Sequence, residues 1–370
     1  MTHTVPAILE KSRPPLLDNT SQAFVAKARA VGHAAPAALA VYRRAFREGV
    51  CEAEWASLDV PAVSRTLVDG ETVKFTLPVA GGYVSESVAI PMPHLRRPTT
   101  VSLCVSSQVG CAMGCSFCET AQMGLHRNLS AGEIVAQWHA ATHQLGRRPS
   151  RVVYMGMGEP TDNLDAVIDS IRILTDHNGA GVGAKNIMVS TVGRPAGIRR
   201  LAAFAREPGY TRLQLAVSIN APNDEIRNRI MPVNRATPLA ELCAALADWS
   251  TRGSRVLCAE YVLIPSVNDA LEHADELCEL LAPLRAMVSV IPYNPRRDSP
   301  WPAPSEESVA SFVARCAARG MYVKRRVTRG RDVMAACGQL GSAELRRGSA
   351  AMKVTPLRLG QTSRRGVGLV

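Results

Sequence analysis

The strongest chemical signal in this 370-residue chain is Gly110-Cys111-Ala-Met-Gly-Cys115-Ser-Phe-Cys118, a C-x₃-C-x₂-C loop. Three thiolates on one short loop can converge on a soft metal centre. Zinc asks for a fourth ligand close by, and residues 119–129 offer only His126 as a further imidazole or thiolate. A [4Fe–4S] cluster held by three cysteines instead leaves one iron open to a ligand. Of the ten cysteines, Cys51, Cys243, Cys258, Cys278 and Cys316 stand singly in apolar or helical stretches and read as core packing. Cys104 and Cys337 stand apart from both groups, Cys104 seven residues before the loop and Cys337 in Arg331-Asp-Val-Met-Ala-Ala-Cys337-Gly-Gln339.

The elements that must hold these residues follow from hydrophobic periodicity. Short apolar or β-branched runs at 101–105, 151–155, 186–191, 213–219, 256–263 and 287–293 alternate with amphipathic stretches at 132–145, 164–174, 239–250, 271–281 and 306–318. Strands alternating with helices imply right-handed βαβ units and a parallel sheet. Six repeats make an α/β partial (β/α)6 barrel, with chemistry at the carboxyl ends of its strands. The cysteine loop follows the first strand, and Met155-Gly-Met-Gly158-Glu159-Pro160 ends the second. Before the barrel, Asp69-Gly70 and Gly81-Gly82 are hairpin turns, and the first 60 residues read as helical. The expected segmentation is therefore a helical region 1–62, a β-hairpin segment 63–99, the barrel 100–328, and a basic C-terminal segment 329–370 containing Cys337.

The cysteine spacing, with a Gly/Glu motif in register behind it, resembles the radical S-adenosylmethionine (SAM) superfamily. The resemblance narrows with Thr100-Val-Ser-Leu-Cys104-Val-Ser-Ser-Gln-Val-Gly-Cys111, Gln122-Met-Gly-Leu-His-Arg-Asn-Leu129 and Ala335-Ala-Cys337-Gly-Gln-Leu340. So it does with Ser218-Ile-Asn-Ala-Pro-Asn-Asp-Glu-Ile-Arg227 and Ile291-Pro-Tyr-Asn294-Pro. In that order these segments are similar to the RlmN/Cfr family of radical SAM adenine methyltransferases.

The resemblance implies one [4Fe–4S] cluster on Cys111, Cys115 and Cys118, with SAM at the open iron. It carries SAM contacts to Gly158, Glu159, Ser190, Ser218, Asn220 and Asn294. Asn220 stands where the family usually has histidine. The implied reaction uses two SAM molecules. One methylates Cys337, and the other yields the radical that activates this methyl for addition to an adenine ring carbon. Glu86, in Glu86-Ser-Val-Ala-Ile-Pro91, is the implied general base. Cys104 then attacks Cys337, releasing product and leaving a disulfide for reduction. The implied substrate is an adenine of 23S rRNA, methylated at C2, with tRNA a further candidate. The electron donor would be of flavodoxin or ferredoxin type. Two alternatives stand beside this reading: Cfr-type C8 methylation conferring antibiotic resistance, and a family-derived enzyme acting on a peptide or small metabolite.

Charge agrees with a nucleic-acid substrate. The net charge is +11, and the last 51 residues hold eleven Lys and Arg against Asp332 and Glu344. Clustered Arg neutralises a phosphate backbone. With no apolar run of membrane length and no signal-peptide pattern at the start, the expectation is a cytoplasmic monomer that does not engage a membrane.

Overall fold

The structure, a computed structural model, describes residues 13–94, 97–250, 257–342 and 345. Arg346, Arg347, Lys353, Arg358, Arg364 and Arg365 of the basic segment lie outside the described residues.

Two helices open the fold, α1 (Ser21–Ala30) and α2 (Ala35–Arg47). The Thr20 hydroxyl caps α1 by accepting from the amide of Ala23. The buried face of α2 is Ala38, Tyr42, Ala45 and Phe46, one stripe at i, i+4, i+7 and i+8. An antiparallel meander follows: β1 (Arg65–Asp69), β2 (Thr72–Val79) and β3 (Tyr83–His94). Its turns fall where the glycine pairs require them, since Asp69 faces Thr72 and Val79 faces Tyr83.

The chain then enters β4 (Arg97–Cys104), a small ribbon of β5 (Gln108–Gly110) and β6 (Leu125–Asn128), and between these α3 (Glu119–Met123). Next come α4 (Ala131–His143), β7 (Pro149–Tyr154), α5 (Leu164–Thr175), β8 (Ile187–Thr191), α6 (Pro195–Phe204) and β9 (Gln214–Ser218). The remaining elements are α7 (Asp224–Ile230), α8 (Leu239–Ser250), β10 (Leu257–Leu263), α9 (Leu271–Leu281), β11 (Ala286–Pro292), α10 (Glu306–Ala318) and β12 (Val323–Arg325).

Strands β4, β7, β8, β9, β10, β11 and β12 pair in that order, every pair parallel. The six strands expected from periodicity are all present. A seventh, β12, extends the sheet; its Val-Lys-Arg sequence carries no apolar alternation to betray it. The meander joins the same sheet through antiparallel pairing of β3 with β4, so ten strands form one open sheet.

The two faces of a strand serve different purposes because side chains alternate. On β10, Tyr261 points outward and stacks on Phe312 of α10, while Glu260 and Val262 line a cavity on the inner side. On β3 and β4, Val88 pairs with Cys104. This puts Glu86, two residues earlier, on the sheet face that carries the Cys104 thiol.

The N-terminal helices dock on α4 through histidines. His139 Nε2 donates to the Ala45 carbonyl at 2.9 Å, and His143 Nε2 reaches that of Phe46 at 3.1 Å. Both carbonyls lie in the last turn of α2, where backbone acceptors lack helical partners. His139 is buried with its Nδ1 unpaired, and burial lowers its pKa from 6.5 to about 4. The unfolded chain therefore binds a proton between these values that the folded one does not, so stability falls as pH drops through this window. The urea midpoint should show a loss of about 2 kcal/mol between pH 7.5 and pH 5. In His139→Gln, which keeps a donor for Ala45 but does not titrate, that loss should largely vanish. Equal parent midpoints at the two pH values would contradict the assignment.

Candidate active site

The cysteine loop is suspended between the end of β4 and α3. Its entry is fixed by Gln137 of α4, which is fully buried. Its Oε1 accepts from the Ser106 amide at 2.8 Å and the Ser87 hydroxyl at 2.6 Å, while its Nε2 donates to the Ser106 carbonyl at 2.9 Å. At the neck, the Cys111 amide donates to the Gly124 carbonyl at 2.9 Å. Gly110, at φ +75°, lies so close to that carbonyl that a Cβ there would collide with it. Farther along, the Ser116 carbonyl accepts from Arg296 Nε at 2.8 Å.

Cys111, Cys115 and Cys118 line one cavity together, and burial raises all three thiols above the ordinary cysteine range. Desolvated thiols of this kind ionise when a cationic centre supplies the compensating charge. Among the described residues no group of three His, Cys, Asp or Glu is arranged to hold a metal ion.

That cavity opens to solvent, and the space within and at its mouth amounts to about 940 Å³. It collects every residue expected to contact SAM: Gly158, Glu159, Ser190, Ser218, Asn220 and Asn294. Gly158 has φ +102°, and a Cβ there would come within 2.5 Å of Gln108 Cβ. Glu159 is buried, and its carboxylate accepts from the amides of Val192 at 2.8 Å and Thr161 at 3.0 Å and from the Thr161 hydroxyl at 2.5 Å. The Thr191 side chain is a further neutral donor to it, and burial raises its pKa.

Asn220 has φ +57°, a left-handed conformation that Asn tolerates far better than most residues. Its Oδ1 accepts from the Val262 amide at 2.9 Å, and its carbonyl accepts from Asn268 Nδ2 at 2.7 Å. The residue that replaces the family's histidine therefore braces the strand ends as well as lining the cavity.

A second, larger cavity of about 1330 Å³ lies alongside, walled by Met92, Val153, Met155, Met188 and Ile291 and edged by Arg151, Arg325 and Arg329. Cys104 lines this cavity alone, whereas Cys337 lines both. Cys104 is buried, with its thiol pushed up to about 12, chiefly by burial; Cys337 is exposed, and both thiols are free.

Glu86 lines neither cavity. Its Oε2 pairs with Lys74 Nζ at 2.8 Å and accepts from the Gly341 amide at 2.8 Å, tying the meander to the Cys337 loop. Lys74 also donates to the Met334 carbonyl at 3.1 Å. Met334 itself has φ +52°, a strained conformation for a side chain of its size.

Three residues of the site were not singled out from sequence: Arg227, Glu260 and Arg326. Arg227 is fully buried, with its pKa lowered to about 10 by desolvation. It donates to the carbonyls of Ile219 (3.0 Å), Val192 (2.6 Å) and Ser218 (3.0 Å) and to Asn234 Oδ1 (2.6 Å). Glu260 receives Ser190 Oγ at 2.9 Å and Arg326 Nη1 at 2.9 Å. Its signal was available, as the one charged residue in Leu-Cys-Ala-Glu-Tyr-Val-Leu. Arg326 was hidden among neighbouring basic residues.

A model of the radical SAM superfamily matches residues 105–281. A protein of Protochlamydia amoebophila named probable dual-specificity RNA methyltransferase RlmN 1 is 42% identical over 285 residues, 77% of each chain. Dual-specificity RNA methyltransferase RlmN of an Anaeromyxobacter species is 40% identical over 307 residues, 81% of this chain and 78% of that one. The chain belongs to the RlmN family. A crystal structure of a radical SAM methyltransferase from Sphaerobacter thermophilus matches with TM-score 0.81 and 37% identity, over 88% of this chain and 98% of the other. This RlmN family member is accordingly a SAM-dependent methyltransferase of the radical SAM superfamily, which implies a 4Fe–4S cluster and SAM. Among the described residues, no helix is long and apolar enough to cross a membrane.

In this RlmN family member Arg227 holds together the loops that follow β8 and β9, where Ser190 and Ser218 enter the cavity. Arg227→Met would remove the donor from four acceptors, two of them buried and two partly buried. It should lower unfolding stability by about 3–5 kcal/mol and weaken SAM binding at least tenfold by calorimetry. A folded variant with parental SAM affinity would overturn this role.

Proposed function

We propose that the protein methylates an adenine ring carbon in RNA, most consistently C2 of an adenine in 23S rRNA, through S-methylation of Cys337. The observation that carries this reading is the position of Cys337 on the common wall of two cavities, with Cys104 on the wall of the second only. A ring carbon such as C2 has no lone pair to attack a methyl donor, so direct displacement fails. A sulfur open to both cavities can instead accept a methyl on one side and present it on the other.

In this reading Cys111, Cys115 and Cys118 hold the cluster, and with SAM it supplies when bound both the methyl group and the radical that activates it. Glu159, a buried carboxylate surrounded by neutral donors, suits a ligand amino group, which would bring the cation it lacks. Gly158 lets the backbone approach closely. Ser190, Ser218, Asn220 and Asn294 complete the polar wall. Reduction of the cluster calls for an electron donor, for which we assign a flavodoxin or ferredoxin type.

The second cavity suits a purine: thioether and aliphatic walls for the ring, and an arginine edge for flanking phosphates. RNA as the substrate class rests on the relatives' names, dual-specificity RNA methyltransferases. Cys104 is assigned to release the product by attacking Cys337. Glu86 is assigned as the base. It lies on the Cys104 face of the sheet and is bonded to the Cys337 loop, and to take a proton it must loosen its Lys74 pair.

Mass spectrometry of anaerobically prepared, cluster-reconstituted protein incubated with SAM should find S-methyl-Cys337. Incubation with deproteinised 23S rRNA should then yield 2-methyladenosine. Cys337→Ala should abolish product, and Cys104→Ala should accumulate a covalent protein–RNA adduct. The finding of 8-methyladenosine would move the assignment to C8. Methylated Cys337 without modified rRNA would overturn the substrate, and a bare Cys337 would overturn the route itself.

A further inference from the structure

Arg326, just beyond β12, is placed where the two cavities meet. Its Nη1 lies 2.9 Å from Glu260 Oε1 and 3.6 Å from Cys337 Sγ. Both terminal nitrogens also reach Met155 Sδ, at 3.8 and 3.7 Å. Glu260 is buried, and its second oxygen is taken by Ser190. The guanidinium therefore has one anionic oxygen fixing its position and the cysteine sulfur within reach of a charge-assisted contact.

We propose that Arg326 is a further catalytic residue, with Glu260 as its positioning residue: the guanidinium stabilises the Cys337 thiolate as methyl acceptor and releases the sulfur once it has become a thioether. This rests on the reading that Cys337 carries the methyl group. The chemistry of the contact changes sign of value with the state of the sulfur. A thiolate is a strong acceptor for an arginine N–H, whereas a neutral thioether is a weak one. In the transfer, the sulfur lone pair forms the new S–CH₃ bond, and the departing sulfonium sulfur keeps the electrons of the broken bond. No proton and no external electron is needed once the thiol has ionised to solvent. The interaction is thus strong before methyl acceptance and weak after it, freeing the methylated side chain for the second cavity.

Arginine is suited to this because it stays charged in a partly desolvated place and its planar fork can serve two partners at once. Glu260 is needed because the fork would otherwise turn between the cavity walls. Its bond to Ser190 ties the guanidinium to the SAM side of the site, so one buried carboxylate relates the donor cavity to the acceptor sulfur.

The test reads the thiol rather than turnover. The full-length protein, without added SAM, is treated anaerobically with iodoacetamide at pH 7.5, and alkylation of the Cys337 peptide is followed by mass spectrometry. Loss of the positive charge in Arg326→Met should slow alkylation about tenfold. Arg326→Lys, keeping a charge without the fork, should stay within about threefold of the parent rate. Glu260→Gln, which keeps a weaker acceptor but removes the anion that fixes the fork, should alkylate more slowly than the parent but faster than Arg326→Met, and its S-methyl-Cys337 yield with SAM should fall. If Arg326→Met does not fold, Glu260→Gln decides alone. A rate in Arg326→Met within about twofold of the parent, or a Glu260→Gln rate at or above that of the parent, would overturn the proposal. Normal alkylation behaviour with no S-methyl-Cys337 in the parent would instead sink the methyl-carrier reading and leave the Arg326 contact standing.

Discussion

The cysteine loop and the Cys337 loop, more than two hundred residues apart, are bonded to one another, and both cavities depend on that junction. The Glu119 amide donates to the Gly338 carbonyl at 2.7 Å, and the Thr120 hydroxyl donates to that of Leu340 at 2.6 Å. The Glu119 carboxylate, fully buried, binds Arg297 through Nη1 at 3.1 Å and through the backbone amide at 3.2 Å. Arg297 in turn reaches the Gly341 carbonyl at 3.2 Å. The start of α3 thus pairs with the loop that presents Cys337. A displacement of either loop would move the reactive sulfur relative to the three cysteines that follow β4.

Ion pairs to a buried carboxylate recur around this junction: Lys74, itself buried, with Glu86, and the partly exposed Arg297 and Arg326 with Glu119 and Glu260. Such pairs are poor candidates for stabilising the fold, because the cost of desolvating the charges rivals their attraction. What they supply is direction. Removing one partner leaves a buried charge uncompensated, so each pair resists rearrangement even where it adds little to net stability. In each, one partner belongs to the barrel, the meander or α3. The other group either bonds to the Cys337 loop or, in Arg326, approaches its sulfur.

The sequence was most readable where a residue's chemistry is independent of its neighbours. Cysteine spacing pointed to a cluster loop, and periodicity gave the six principal strands, because soft ligands and buried β-branched runs have few other uses. β12 was illegible because a three-residue strand of Val-Lys-Arg has no apolar period, and it pairs only because β11 offers an edge. The merging of meander and barrel into one sheet was equally hidden, since β3 and β4 look like separate segments until their register is known. The partner of Glu119, the residue after Cys118, was likewise hidden, since Arg297 lies far along the chain. Asn220 stands where the family usually has histidine, and its left-handed backbone reveals a demand on conformation that spacing alone does not express. Arg326 could not be distinguished from surrounding basic residues, because what sets it apart is its ion pair with the buried Glu260.

The same fastening bears on how a methyl group would pass between the cavities. The Cys337 loop is closed on itself, the Ala335 amide donating to the Gly330 carbonyl at 2.7 Å and the Gln339 amide to that of Ala336 at 3.0 Å. Gln339 Nε2 holds it to the Pro295 carbonyl at 2.8 Å, and Ala335, Ala336 and Leu340 are buried. A loop so tied is costly to swing. Cysteine, however, has a single χ1 torsion with three staggered wells, and its sulfur already borders both cavities. On the route proposed above, a rotation about one bond would suffice to exchange the two environments, with no backbone bond broken. The constraint that fixes the loop would then be what keeps the exchange local.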